Sequence, residues 1–422
     1  MDGQGRREDG KGLRCADISR ADAIMVGMPL GIYVSVPFCR TKCSYCNFAS
    51  DVFSRAVFER YVDRVCADIK HSPQVAAEMG GQTERAVDSI YLGGGTPTVL
   101  ELAQLKRIFA AVRSQFDVTA EAEVTVECAP GTLTLAMLEA LLRSGVNRVS
   151  LGVQSFVDQE AAAVGRLHKR ETVLADIAGL RAAGITNINI DLIAGLPHQT
   201  SASWEFSLAE AIAIGAPHVS VYMLEVDEES RLGRELLAGG TRYHAHFVPD
   251  EEAIAEFYLA ACERLQATGI AQYEISNFAR DGFESKHNLK YWTRQPYFGF
   301  GVDAHSMLHS AMPDIDAVRF ARADSLEQYT RGADVERTVV STREALEESL
   351  FLGLRLNRGV DLRELSLKFG EDAVESTRAA IAELAGSGLM EQRGGFACLT
   401  SRGRLLSNEV FERFILTGEI VR

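Results

Sequence analysis

The sequence predicts an α/β protein: a partial (β/α)6 barrel followed by a small, mostly helical C-terminal domain. Six apolar, β-branched segments alternate with amphipathic helical segments between residues 31 and 226. That pattern is typical of a parallel sheet covered by helices. The stretch is too short for a closed eight-stranded barrel, which takes about 250 residues. After residue 226 the alternation stops, and residues 343–417 are predicted to be helices with a glycine-rich hairpin near Gly394.

The six strands are predicted at residues 32–36, 89–92, 123–127, 147–153, 187–193 and 219–224. Helices are predicted between them, for example at 57–70 and 102–116. Functional groups in parallel α/β folds gather at the carboxyl ends of the strands. The chemically notable residues fall at or near these ends, in strand order: Cys39, the run 93–97, Glu127, Gln154, Asp191 and Glu225.

A chain of 422 residues is too long for one ordinary domain. We predict a disordered extension at 1–28, which is charged and glycine-rich, and the barrel at 29–240. A barrel extension with an aromatic segment is predicted at 241–335. The C-terminal domain is predicted at 336–422, where helices followed by a small hairpin resemble a winged-helix fold.

Charge and cysteine content restrict the class of protein. The net charge of −14 argues against nucleic acid and against an anionic membrane surface as partners. The apolar run 23–37 is too short for a membrane span and is broken by glycine and proline. Five of the eight cysteines are scattered and are interpreted as buried or incidental thiols. This usage predicts a reducing, cytoplasmic location.

The other three cysteines, Cys39, Cys43 and Cys46, have the spacing C-x3-C-x2-C in the loop after the first predicted strand. A zinc site would need four ligands, and the next histidine, His71, is distant in sequence. Three clustered cysteines cannot all pair in disulfides. Because iron–sulfur clusters are usually held by four cysteines, three thiolates would leave one iron of a four-iron cluster open to another ligand.

The run 93–97, Gly-Gly-Gly-Thr-Pro, lacks the Gly-Lys-Ser/Thr ending of a phosphate-binding loop. It is either a tight turn or a place where the backbone closely approaches a charged ligand. Gln154 and Arg166 could each be surface or capping residues. Glu127 and Asp191 follow apolar strand residues, where a carboxylate needs a partner.

A second informative segment is the run His-Asn-Leu-Lys-Tyr-Trp at residues 287–292. On a helix, His287 shares a face with Tyr291. A lone histidine is most often structural, but an imidazole among aromatic side chains also suits the axial position of a haem. The run 299–304 formally matches a dinucleotide-binding pattern, and we predict a false match because no βαβ strand precedes it.

These motifs resemble radical SAM proteins, and more narrowly the HemN/HemW group, over residues 31 to about 418. The resemblance implies a radical SAM barrel and a [4Fe-4S] cluster on Cys39, Cys43 and Cys46, whose open iron is chelated by the amino and carboxylate groups of S-adenosylmethionine (SAM). It also implies haem contact by His287. By the same resemblance, Tyr33, Gly94 and Glu127 match positions for a first SAM. Positions for a second SAM in HemN are matched by Tyr45, Gly95, Thr96, Gln154, Arg166 and Asp191.

Two functions follow from the resemblance. One is a haem chaperone, not an enzyme, that passes haem to an acceptor protein. The other is an oxygen-independent coproporphyrinogen III dehydrogenase, which oxidatively decarboxylates two propionates. The dehydrogenase has another cysteine two positions after the triad, where this chain has Phe48. Only about thirty residues precede the first predicted strand, whereas the dehydrogenase has a longer N-terminal region. We therefore predict the chaperone, and leave a homodimer open.

Overall fold

A 12-stranded mixed sheet forms the main body of the protein in the computed structural model, which describes residues 27–333 and 335–415. Its centre consists of six parallel strands that pair in chain order, as in the open wall of a partial barrel. The predicted α/β class and all six predicted strands are confirmed. The strands are β1 (Leu30–Val36), β2 (Ala86–Gly94), β3 (Asp117–Cys128), β4 (Arg148–Gln154), β5 (Asn187–Ala194) and β6 (His218–Met223).

Helices connect these strands, and they form where the sequence supplies caps and one apolar face. The α-helix after β2 begins at a capping box made by Glu101 and Gln104. The helix after β5 begins at one made by Thr200 and Ser203. The connecting helices are α1 (Phe58–Lys70), α2 (Ser72–Met79), α3 (Leu102–Gln115), α4 (Leu135–Arg143), α5 (Asp158–Ala163), α6 (Arg170–Ala182) and α7 (Ser201–Ile214).

After β6 the chain forms α8 (Arg231–Ala238), α9 (Glu251–Ala267), α10 (Lys286–Trp292) and α11 (Leu326–Arg331). The same stretch extends the sheet at both edges. Beside β6 lie β8 (Asn277–Ala279) and β7 (Ala271–Gln272). Beside β1 lie β9 (Tyr297–Gly301), β10 (His305–His309), β11 (Ile315–Ala321) and β12 (Glu336–Ser341).

The sequence did not predict β9, because glycines inside a strand normally weaken it. Here the glycines are required by close backbone contacts. A Cβ atom on Gly299 would lie 2.1 Å from the carbonyl oxygen of His305, and one on Gly301 would lie 2.3 Å from that of Ser35. Since β9 leads into an antiparallel strand and not into a helix, the dinucleotide-like run at 299–304 is a false match, as predicted.

The C-terminal region contains α12 (Thr342–Gly353), α13 (Leu362–Phe369), α14 (Glu371–Gly386), α15 (Ser401–Leu405) and α16 (Ser407–Glu412). A three-stranded sheet in the order β13-β15-β14 accompanies them: β13 (Val360–Asp361), β14 (Met390–Arg393) and β15 (Phe396–Leu399). The hairpin turns at Gly394 and Gly395, both with positive φ. The predicted small, mostly helical C-terminal region is therefore confirmed.

This region has its own apolar core and meets the main sheet through a buried ion-pair cluster. Arg294 contacts Glu348 at 2.7 Å and Asp316 at 3.0 Å, and Glu348 also pairs with Arg319. The limits 29–240, 241–335 and 336–422 stay predictions, and residues 1–26 of the predicted disordered extension lie outside the described residues. Across residues 27–333 and 335–415, no helix is both long and apolar enough to cross a membrane.

Candidate functional site

A cavity of about 480 Å³ lies at the carboxyl ends of the six parallel strands. The predicted site residues converge on it, with the exception of Tyr33 and His287. This is the edge at which a parallel sheet presents its functional groups. The predicted residues that line the cavity are Cys39, Cys43, Tyr45, Cys46, Gly94, Gly95, Thr96, Glu127, Gln154, Arg166 and Asp191.

The three clustered cysteines lie half-buried in the loop after β1. The N–H of Cys39 donates to the carbonyl oxygen of Asp51, and the N–H of Asp51 donates to that of Pro37, both at 3.0 Å, which closes the loop. Burial raises the pKa of the Cys39 thiol. Among the described residues no three metal-binding side chains converge on a single ion. A donor set made only of thiols on one loop is typical of iron–sulfur clusters.

Cys128, at the end of β3, also lines the cavity, although the sequence analysis treated it as incidental. It is buried, and its thiol donates weakly to the carbonyl oxygen of Val126 at 3.8 Å. Burial raises the pKa of this thiol well above its ordinary value. Cys128 ends β3 and does not belong to the loop of Cys39, Cys43 and Cys46, so the proposed donor set remains the three cysteines of the loop.

Glu127 is held in place by the glycine-rich run. Its carboxylate accepts the hydroxyl of Tyr91 at 2.8 Å and the N–H of Gly94 at 3.2 Å. A Cβ atom on Gly93 would lie 2.9 Å from that carboxylate, so only glycine leaves room for it. Burial, only partly offset by the Tyr91 hydrogen bond, raises the pKa of Glu127 to about 7.

The N–H groups of the glycine-rich run are already occupied. Gly94 donates to Glu127, Gly95 donates to the carbonyl oxygen of Val36 at 2.8 Å, and Thr96 donates to that of Phe38 at 2.7 Å. The run therefore brings the cysteine loop against β2 and offers a ligand no free N–H group from these three residues. An ammonium group needs acceptors and not donors, so the arrangement suits a cationic ligand better than a phosphate.

Asp191 belongs to a polar network beneath the cavity floor. Its carboxylate accepts Ser150 Oγ at 3.0 Å and Asn189 Nδ2 at 2.7 Å. Burial raises its pKa, although these hydrogen bonds act in the opposite direction. At the other wall, Arg166 donates to the hydroxyl of Tyr45 at 3.1 Å. The side chain of Tyr45, between two of the cysteines, is thereby hydrogen-bonded to the loop between α5 and α6.

His287 lies behind the cavity wall in the core, with only 1 % of its surface exposed. Its Nδ1 contacts Ser89 Oγ at 3.0 Å and its Nε2 contacts Tyr291 Oη at 2.9 Å. Burial, together with the charges of Lys290 and Arg148, lowers its pKa to about 3, so the ring is neutral. Both nitrogens are hydrogen-bonded, which is the arrangement of a structural histidine. This conformation offers haem iron no free imidazole nitrogen.

Tyr33 lies beside His287, and Asn288 connects that region to the cavity. The ring centroid of Tyr33 is 6.1 Å from that of Tyr91 and 6.2 Å from that of His287. Asn288, the next residue on α10, itself lines the cavity. The helix that carries the His-Asn-x-x-Tyr-Trp run therefore has Asn288 at the cavity and His287 buried behind the cavity wall.

Polar residues inside the strands also contribute to the cavity, and no sequence motif identified them. Asn189, His218, Ser220 and Asn277 form a buried hydrogen-bonded group, and all except His218 line the cavity. A signal was available, because Asn189 lies between the apolar residues Ile188 and Ile190 of β5. Such a buried polar group requires a hydrogen-bonding partner.

The segment around α8 packs on the cysteine loop. The N–H of Leu232 donates to the carbonyl oxygen of Ser44 at 2.8 Å, and Asn47 Nδ2 donates to Asp227 at 3.1 Å. Phe48 and Leu167 line the cavity and are 65 % and 71 % exposed. The cavity therefore has polar inner walls and an apolar rim.

Comparison with known families and proteins gives consistent results. Residues 33–210 match the family model described as "Radical SAM superfamily", and residues 340–406 match "HemN C-terminal domain". The chain is 34 % identical over 395 residues to "Heme chaperone HemW" of Bacillus subtilis, covering 92 % of this chain and 99 % of the relative. The protein of the same name from Lactococcus lactis is 32 % identical over 396 residues, covering 93 % and 99 %.

Among solved structures, the chain is similar to that of "Coproporphyrinogen III oxidase (HemN) from Escherichia coli". The TM-score is 0.78 at 25 % identity, and the match covers 94 % of this chain and 92 % of the other. The match therefore includes the C-terminal region as well as the barrel.

Proposed function

Because the chain belongs to the HemW family of the radical SAM superfamily, we propose that it is a haem chaperone. It binds haem and transfers it to an acceptor protein, and it carries a [4Fe-4S] cluster with SAM. The observation that carries the proposal is the meeting of three elements at one cavity. These are the cysteine loop, the buried carboxylates and helix α10 with its His-Asn-x-x-Tyr-Trp run.

Cys39, Cys43 and Cys46 would hold the cluster, and the proposal is supported by their all-thiol set on one loop. When bound, such a cluster supplies an open iron that chelates the amino and carboxylate groups of SAM. Glu127 would accept a hydrogen bond from the ammonium group of SAM. Asp191 would accept hydrogen bonds from its ribose hydroxyls. Both carboxylates are buried at the cavity and suit a cationic, hydroxyl-bearing ligand.

His287 is proposed as the haem contact, and its hydrogen bonds define what haem binding requires. The Tyr291 hydroxyl occupies Nε2, and Ser89 occupies Nδ1. Iron ligation through Nε2 requires the Tyr291 hydroxyl to move away. Haem loading is therefore expected to accompany a rearrangement of α10. Reversal of that rearrangement would allow the protein to release haem again.

A haem titration tests this proposal. Hemin added to the anaerobic, cluster-loaded protein should give a saturable Soret band that weakens in His287→Ala. His71→Ala, at an exposed histidine after α1, is the matched control and should leave the band unchanged. Tyr291→Phe removes the competing hydroxyl and should tighten haem binding. Binding that neither His287→Ala nor Tyr291→Phe alters would refute the ligand role of His287, whereas unsaturable binding to wild type would refute the haem function.

The second candidate is the oxygen-independent coproporphyrinogen III dehydrogenase, which the likeness to the HemN structure favours. Phe48 argues against it, because this position is a cysteine in the dehydrogenase. Wild-type protein incubated anaerobically with coproporphyrinogen III, SAM and a reductant should yield no protoporphyrinogen. Turnover would favour the enzyme. We propose that the protein is cytoplasmic and that its partner is an acceptor protein for haem.

A further inference from the structure

We infer that SAM binding at Asp191 and the conformation of helix α10 are coupled through His218 and Tyr273. This inference rests on the proposed function, since it assigns a regulation to the same site. It concerns the buried His218 and the half-buried Tyr273, which no sequence motif identified. A haem chaperone needs such a coupling if the state of its SAM site is to influence when haem is held.

An unbroken chain of hydrogen bonds connects the two places. Asn189 Nδ2 donates to Asp191 at 2.7 Å, and Asn189 Oδ1 contacts His218 Nδ1 at 2.6 Å. His218 Nε2 contacts Tyr273 Oη at 3.0 Å. The backbone N–H of Ser285, the N-cap of α10, donates to the same Tyr273 oxygen at 3.3 Å. The chain thus runs from a cavity carboxylate to the first turn of the helix that carries His287.

The direction of every hydrogen bond in this chain is determined. An amide oxygen only accepts, so His218 Nδ1 carries the proton that Asn189 Oδ1 receives. His218 Nε2 is then an acceptor, and the Tyr273 hydroxyl must donate to it. The Tyr273 oxygen is in turn free to accept from Ser285. His218 is 0 % exposed and burial lowers its pKa well below the ordinary value, so it stays neutral in this single tautomer.

The chain leaves little freedom for independent movement at its ends. His218 cannot reverse its tautomer without losing its buried hydrogen bond to Asn189 Oδ1, and an unmade buried hydrogen bond is costly. A branch from Ser220 to Asn277 fixes Asn189 from the other side. A ligand that draws Asp191 toward the cavity therefore pulls on Asn189 and His218. The Tyr273 hydroxyl, and with it the start of α10, has to adjust.

The start of α10 depends on acceptors that other segments supply to its first N–H groups. Glu123 accepts the N–H groups of Lys286 and His287, both at 3.2 Å, and Tyr273 accepts that of Ser285. These N–H groups stand at the start of the helix, where the helix itself supplies no acceptor for them. Their loss would loosen the turn that holds His287 between Ser89 and Tyr291, which is the rearrangement that haem binding needs.

Hydrogen exchange of the cluster-loaded protein tests the coupling without haem. SAM should change the exchange rate of the amides of residues 285–292 by at least about 5-fold, the lower end of ordinary coupling between sites. Tyr273→Phe should abolish this response while changing the SAM dissociation constant by less than about 3-fold. Tyr243→Phe, a tyrosine outside the chain, is the matched control and should keep the response.

Two substitutions of His218 separate the two halves of the hydrogen-bond chain. His218→Asn keeps a donor toward Asn189 but has no group that reaches Tyr273, so it should bind SAM normally and lose the α10 response. His218→Gln keeps an acceptor toward Tyr273 and should weaken SAM binding. An unchanged α10 response in Tyr273→Phe and His218→Asn would overturn the inference. SAM binding to wild type with no α10 response would overturn the coupling alone, whereas absence of SAM binding would overturn the proposed function with it.

Discussion

The ring of Tyr91 stacks on the ring of His287, with centroids 5.4 Å apart and planes inclined by 30°. The hydroxyl of the same tyrosine donates to Glu127 at 2.8 Å. One side chain therefore contacts both the carboxylate proposed for SAM and the histidine proposed for haem. The two candidate sites share a wall, so a change at Glu127 is transmitted to the packing around His287 by direct contact.

The first prediction concerns the pH dependence of stability through Glu127. Its pKa is raised from 4.5 to about 7, chiefly by burial. Between these values the folded protein holds a proton that the unfolded chain releases. The contribution to stability is therefore complete below pH 4.5 and is lost as the pH rises toward 7. A shift of this size corresponds to on the order of 3 kcal/mol.

Urea unfolding of the ligand-free protein at pH 4.5 to 7.5 measures this contribution. Glu127→Gln keeps an acceptor for Tyr91 and cannot ionise, so the difference in unfolding free energy between wild type and variant should fall by on the order of 3 kcal/mol across the window. Glu139→Gln, at an exposed carboxylate of α4, is the control and should leave the profile unchanged within about 0.5 kcal/mol. Parallel profiles for wild type and Glu127→Gln would contradict the buried, protonated carboxylate.

The second prediction concerns the cluster ligands. Anaerobic reconstitution should load four irons per chain into wild type, and Cys43→Ala should lose the cluster because two thiolates cannot hold it. Cys262→Ala, at a half-buried thiol of α9, is the matched control. Iron and sulfide analysis with the visible absorption spectrum measures the loading. A full cluster in Cys43→Ala, or loss in Cys262→Ala, would show that the loop cysteines are not the ligands.

The third prediction concerns the contact between the glycine-rich run and the cysteine loop. A Cβ atom on Gly95 would lie 2.7 Å from the carbonyl oxygen of Phe38 and 2.8 Å from that of Val36. Gly95→Ala has to displace the backbone that leads into Cys39, which should cost about 1 to 3 kcal/mol and weaken cluster retention. Thermal unfolding and the rate of cluster loss under chelator measure the two effects.

Gly386→Ala is the control for Gly95→Ala, because nothing lies within 4 Å of a Cβ atom there. Gly386 is the last residue of α14, so alanine should be neutral or stabilise the protein by up to about 1 kcal/mol. If Gly95→Ala behaved like Gly386→Ala in both measurements, the cysteine loop would have room that these distances exclude.

The sequence predicted the parts of the structure that depend on local pattern. The six strands are apolar runs between turn residues, and Cys39, Glu127 and Asp191 meet because parallel strands end at one edge. Packing between distant segments was not predictable. Helical spacing placed His287 beside Tyr291 but could not show that both of its nitrogens would be buried and occupied.

Polar contacts between distant segments were also not predictable from the sequence. Asn189 and His218 are polar residues with apolar neighbours in β5 and β6, and Tyr273 lies in the short turn before β8. Their mutual contacts depend on strand register, which the sequence pattern alone does not give. Strand β9 was missed for a related reason, because its glycines are explained only by the backbone atoms that approach them.

The last prediction concerns the junction between the main sheet and the C-terminal region. The Glu348 carboxylate contacts Arg294 at 2.7 Å and Arg319 at 3.0 Å, and Arg294 is 4 % exposed. Glu348→Ala leaves the Arg294 charge buried with Asp316 as its remaining partner, and breaking a buried pair in this way costs about 3 to 5 kcal/mol. Glu139→Ala breaks an exposed i,i+4 pair with Arg143 and should cost less than about 0.5 kcal/mol. Urea unfolding measures both variants. If Glu348→Ala were no more costly than Glu139→Ala, the cluster would not hold the C-terminal region against the sheet, and the packing of α12 beside α10 would have to rest on apolar contacts alone.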